Sequence, residues 1–165
     1  MLAAALVVAG CAAPDASKAP NTTSPAKTTT PSPSAADGKN VAACADGNCE
    51  VLLTGPVDID LGGHGDVATM SVTGIDSSGV HVSLKDTGGG TGTADLGTGC
   101  TLTFVDGGGG SSCGGRQDPP PAQTGVLAAQ LVHLDKGSAV LRLVSGPLGD
   151  PPTWMRPPVI TPPNW

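Results

Sequence analysis

Gly110-Ser111-Ser112-Cys113-Gly114 satisfies the pattern G-x-S-x-G, and Asp118 and His133 follow it in the order serine, acid, base. A serine in that pattern becomes a nucleophile when a strand–turn–helix elbow lifts its hydroxyl above a large α/β sheet. Here Ser112 falls in a glycine-rich stretch beside a cysteine, in a domain of modest size. The three histidines, His64, His81 and His133, have no ligand-like spacing to one another. His81 belongs to the polar side of an alternating segment, and His133 reads as a core or edge residue. Neither G-x-G-x-x-G nor G-x-x-x-x-G-K-[ST] occurs, so no motif points to a nucleotide cofactor.

A second cluster is Gly62-Gly63-His64-Gly65-Asp66. It differs from the calcium-turn pattern G-G-x-G-x-D by placing its aspartate one residue early, and no tandem repeat follows. Asp58, Asp60 and Asp66 would be hard oxygen ligands for calcium. Asp58 and Asp60 are equally the solvent side of a strand that runs into a glycine turn, and that reading is preferred. The patterns therefore assign no catalytic residue, no metal ligand and no cofactor. A small secreted-type hydrolase and a calcium-binding module are the alternatives.

The elements that would carry these residues are strands. Val57, Ile59 and Leu61 alternate with Asp58 and Asp60; Val80, Val82 and Leu84 with His81, Ser83 and Lys85; Leu102 and Phe104 with Thr101, Thr103 and Val105. Weaker runs cover 50–53, 67–72 and 93–96. Segments 126–134 and 139–144 flank Asp135-Lys136-Gly137, read as a three-residue hairpin connection. Val126, Leu127, Gln130, Leu131 and Leu134 also fit a helical stripe, the alternative for that segment. Short strands separated by Asp/Gly turns predict an all-β fold, a small antiparallel sandwich or barrel.

The N-terminus points to an address. Residues 2–9 are an unbroken apolar run, too short to span a bilayer but suited to the core of a signal peptide. Val8-Ala9-Gly10-Cys11 resembles the bacterial lipobox, although no Lys or Arg precedes the run. The resemblance implies cleavage before Cys11 and a lipid on its thiol, and so a membrane partner. The tether and the β domain together look like an actinobacterial surface lipoprotein. Cys44-Ala-Asp-Gly-Asn-Cys49 and Gly99-Cys-Thr-Leu-Thr-Phe104 are similar to uncharacterised members of that group. The resemblance implies a location on the outer face of the membrane and carries over no catalytic residue.

With Cys11 assigned to the lipid, four cysteines remain, an even number suited to two disulfides in an exported protein. Three pairings are open, and hairpin parity favours one. Asp46-Gly47 lies midway between Cys44 and Cys49, and Asp106-Gly107 midway between Cys100 and Cys113. A two-residue turn at each would set the cysteines opposite each other at non-hydrogen-bonded positions. The expected bonds are Cys44–Cys49 and Cys100–Cys113, with a longer glycine loop over 108–110 as the variant for the second.

The organisation is then 1–10 signal peptide, 11–40 lipidated cysteine and tether, 41–146 β domain, and 147–165 Pro-rich tail. Residues 12–40 hold nine Ser and Thr and five Pro but no Val, Leu, Ile or aromatic residue, too little to bury. The tail has seven Pro in 19 residues and both tryptophans. Trp154 or Trp165 either lies back over the domain or docks on a partner, or the tail stays unpaired. The chain has 8 Lys and Arg against 14 Asp and Glu, with no basic cluster, which argues against nucleic acid. With Phe104 its only internal aromatic, the domain lacks the stacking strip of a sugar binder. The expectation is a non-enzymatic, membrane-anchored module facing an envelope protein or cell-wall partner.

Overall fold

The computed structural model describes residues 33–114 and 118–155 of the 165-residue chain. The fold is all-β, as the alternation requires. Its strands are β1 (Cys49–Leu53), β2 (Val57–Asp60), β3 (Val67–Ile75), β4 (Val80–Asp86), β5 (Thr91–Leu96), β6 (Cys100–Val105), β7 (Gly108–Cys113), β8 (Leu127–Asp135) and β9 (Ser138–Ser145). One sheet has the order β1-β9-β8-β6-β7, the other is the meander β2-β3-β4-β5, and every pairing is antiparallel.

The inner faces of the two sheets form one apolar cluster. Val51 and Leu53, Ile59 and Leu61, Met70 and Val72, Val80 and Val82, Leu102 and Phe104, and Leu127, Ala129 and Leu131 all turn inward in period two. Asp58 and Asp60, between the inward positions of β2, are exposed. Phe104 is the one aromatic of this core and is buried, as its alternation with threonine predicts.

β8 is a strand, not the helical alternative. It lies between β6 and β9, and its first five residues are buried on both faces. A bulge between Leu131 and His133 shifts its phase. Leu131 and Leu134 therefore both reach the core although three residues apart, and this spacing is what imitates a helical stripe. The following turn is shorter than expected: Asp135 pairs with Ser138, leaving Lys136-Gly137 as a two-residue connection.

Both expected disulfides are present. Cys100–Cys113 closes the β6–β7 hairpin in the predicted register, around Asp106-Gly107, and residues 108–110 are strand rather than loop. Cys44–Cys49 is formed by a different local structure. Val41–Asp46 is a 3-10 helix whose end is capped by Gly47 at φ 75°, its N–H donating to the Cys44 carbonyl. The Asp46 carboxylate accepts the Asn48 N–H. Asp-Gly thus terminates a helical turn instead of joining two strands, and the free edge of β1 is bordered by residues 37 and 38 rather than by a hairpin partner.

The paired chain starts before Val41. The Asp37 N–H donates to the Glu50 carbonyl and the Leu52 N–H to the Gly38 carbonyl, so residues placed with the tether by composition border β1. At the other end, the Gly125 N–H donates to the Pro147 carbonyl and Pro151 is buried, so the first part of the tail lies against the segment before β8. Trp154 is 72% exposed and is no lid. Trp165, like Cys11, lies outside the described residues.

Cys44 is fully buried and Cys49 nearly so, whereas Cys113 is exposed. Thiol attack needs access to a sulfur. Mild reduction of the native protein followed by alkylation and peptide mass analysis should therefore open Cys100–Cys113 first. Cys44–Cys49 should open only under denaturing conditions.

Candidate functional site

The sequence-selected residues do not converge on a catalytic centre. Ser112 sits within β7, not on an elbow, and its strand neighbour is Thr101. His133 is exposed on β8 beyond the bulge, and the Asp118 backbone carbonyl accepts a hydrogen bond from the Gln130 amide at 3.2 Å. The Asp60 carboxylate accepts the Gly62 N–H, and the Asp66 carboxylate accepts a hydrogen bond from the Thr87 hydroxyl. Among the described residues no three His, Cys, Asp or Glu side chains are arranged to hold a metal ion.

The Gly62–Asp66 segment serves the fold. Gly62, Gly63, Gly65 and Asp66 all take positive φ, the last at 64°. Gly65 is packed so closely that a Cβ there would lie 2.6 Å from Leu127 Cβ and 2.7 Å from the Phe104 carbonyl oxygen. This flat backbone closes one end of the sandwich. Beside it the Ser145 hydroxyl lies 2.9 Å from the Val126 carbonyl, 3.0 Å from that of Gly146 and 2.9 Å from His64 Nδ1. A hydroxyl has one proton, and two carbonyls compete for it, so His64 donates to the hydroxyl oxygen from Nδ1.

Two polar devices went unread in the sequence. Glu50, the chain's single glutamate, accepts from Arg142 Nε at 3.0 Å and Nη2 at 2.7 Å. Arg142 Nη1 also donates to the Gln130 side-chain oxygen at 3.2 Å. Register places Glu50, Arg142 and Gln130 in one row across the outer face of three adjacent strands. The only signal in the sequence was one Glu among thirteen Asp.

The second device is His81 on the outer face of β4. Its Nδ1 lies 2.6 Å from Asp95 of β5 and its Nε2 3.0 Å from Asp76, which also holds Ser78. The Asp95 hydrogen bond, then that of Asp76, raises the imidazole above its ordinary 6.5. Hydrogen bonds from Ser78 and then His81 hold Asp76 far below 3.8. The histidine's share of the clasp is complete below pH 6.5 and is lost as the pH rises through its raised value. The aspartate's share is present above 3.8 and is lost as acid reaches its depressed value.

A larger concavity among the described residues lies elsewhere, at the open side of the sandwich. A cleft of about 830 Å³ runs between the edge strands β5 and β7. Its floor holds Leu84, Ala94, Leu102 and Phe104, and its walls are glycine-rich backbone at 90–92 and 107–110. Two structural features open the cleft. β5 packs against β6 and β8, and all six residues of β7 remain exposed, so β7 overhangs. Gly92 pairs with Leu84 on the inner side of β5, where a Cβ would meet nothing within 4 Å. Asp66, Asp86 and Asp95 line the cleft, and no Lys or Arg does among the described residues.

No known protein family, no curated protein and no solved structure matches the chain.

Two glycines should separate support from site. Gly65→Ala should destabilise the protein by roughly 2–4 kcal/mol, from steric overlap and positive φ. Gly92→Val should leave stability unchanged or raise it by about 0.5–1 kcal/mol, since the space is open and valine suits a strand. Denaturant titration of the two variants checks both. In a histidine NMR titration, the His81 midpoint should lie above 6.5, and Asp95→Asn should lower it more than Asp76→Asn.

Proposed function

We propose that this protein is a membrane-tethered binding module of the bacterial envelope, without catalysis of its own, and that the β5–β7 cleft is its binding site. The cleft carries the reading: it combines an apolar floor, unobstructed glycine walls and a one-signed rim, the usual features of a small recognition site. The address rests on the lipobox-like Val8-Ala9-Gly10-Cys11. Two disulfides are compatible with an exported protein, and no helix among the described residues is long and apolar enough to cross a membrane. A lipid on Cys11 would hold the module at the surface, and residues 12–40, at about 3.5 Å each, would allow a reach of ~100 Å. The partner would be an envelope protein or cell-wall component.

Two measurements test this. The intact mass of protein extracted from host membranes should begin at Cys11 with added acyl chains, and four thiols should appear only on reduction. A mass retaining Met1 without lipid would overturn the address. Titration of a peptide, a cell-wall oligosaccharide and a fatty acid, followed by backbone NMR, should move the amides of Gly92 and Gly109 with at least one of them. Shifts confined to surfaces away from the cleft would overturn the site.

A further inference from the structure

The two sheets are unequal, five strands against four, and the vacancy lies over β7. β5 ends its sheet with nothing paired to its outer edge among the described residues. The direction of its free groups follows from register. Asp86 N–H donates to the Gly90 carbonyl at 3.0 Å, which makes Asp86–Gly90 a hydrogen-bonded pair. Alternation along the antiparallel ladder then assigns the Leu84–Gly92 and Val82–Ala94 pairs to hydrogen bonding within the sheet. Thr91, Thr93 and Asp95 occupy the non-hydrogen-bonded positions, so their N–H and C=O groups point out over the cleft. Donors and acceptors at every second residue are the template for an added strand.

The space suits a strand as well. Gly109 and Ser111 share the inner face of β7 with Phe104 and Leu102, their cross-strand partners. Neither fills the room above β7, so a strand beside β5 would meet an apolar floor with space for large side chains. Its alternate residues would face out, beside Asp95. Asp66 and Asp86, which accept hydrogen bonds from the Thr87 hydroxyl and the Gly90 N–H, line the same cleft.

We propose that the cleft takes an extended polypeptide as a fifth strand on β5, with large apolar residues turned inward and Lys or Arg turned outward. The assignment rests on the cleft being the binding site and names its ligand class. Backbone hydrogen bonds from Thr91, Thr93 and Asp95 hold the segment, the glycine-lined interior receives its apolar side chains, and Asp95, on the outward side of β5, meets its basic residues.

The test uses the full oxidised chain and a synthetic peptide of about eight residues, the length of an ordinary strand, alternating Ile and Lys. Compared with it are the same peptide with Glu for Lys, and a version N-methylated at alternate residues. The Ile/Lys peptide should slow amide exchange at Thr91, Thr93 and Asp95, weaken with added salt, and bind about tenfold or more better than either comparison peptide. Thr93→Pro removes an N–H that β4 does not use, on an edge where proline is tolerated, and should weaken binding about tenfold. Gly92→Val fills the interior without a clash and should weaken it similarly, with a melting temperature that is unchanged or raised.

Equal binding of the Lys and Glu peptides would overturn the proposal. So would edge amides already protected in the free protein, or protected only as its concentration rises, which would make the chain itself or a second copy the occupant. If an oligosaccharide or fatty acid moves the cleft amides and the Ile/Lys peptide does not, the strand proposal fails and the cleft remains the site. If no ligand reaches the cleft, both fail.

Discussion

β7 consists of three glycines, two serines and a cysteine, and it buries none of them. A segment of that composition loses much backbone entropy on ordering and has almost no side-chain burial to offset the loss. Three local devices hold it on β6. The Asp106-Gly107 turn starts the hairpin, with Gly107 at φ 77°. Cys100–Cys113 closes the far end. Between them Phe104 stands opposite Gly109, where a Cβ would lie 3.3 Å from the ring, so the aromatic face covers bare backbone. Without this hairpin the first sheet would end at β6, level with β5, and the open side of the sandwich would have no wall.

The remaining polar interactions keep the sheets in register around that opening. The Glu50–Arg142–Gln130 row ties three strands on the outer face, with Arg142 and Glu50 about one-fifth exposed. The His81 clasp joins the β3–β4 turn to β5 at a non-hydrogen-bonded pair, where side chains stand closest. Its three ionisable side chains, Asp76, His81 and Asp95, are all solvent-exposed to a third or more, so it positions the edge strand more than it stabilises the fold. Ser145 and His64 close the end of the sandwich, where a hydroxyl bridges backbone groups that no ladder reaches.

Strand positions were legible wherever one face was polar. β2, β4 and β6 follow the alternation residue by residue, and the Cys100–Cys113 register follows from counting outward from Asp106-Gly107. Legibility failed where context reused a signal. Asp46-Gly47 has the composition of a hairpin turn but ends a 3-10 helix, and the edge of β1 that a hairpin would use is bordered by residues 37 and 38. Leu127, Leu131 and Leu134 have helical spacing because a bulge, invisible in composition, adds a residue. The G-x-S-x-G pattern and the Gly62–Asp66 cluster are chemistry-like strings whose neighbours in space are backbone and strand, not catalytic partners.

Local patterning in the chain settles the all-β class, the inward residues of the clearest strands and the Cys100–Cys113 register. These depend on period-two alternation and turn parity, which are properties of neighbouring residues. The tertiary structure alone decided the partner of the single glutamate, the clasp on His81, the vacancy over β7 and the direction in which β5 turns its free edge. Each of these brings together residues far apart in the chain through the pairing of one strand with another, and no local pattern encodes which strands meet.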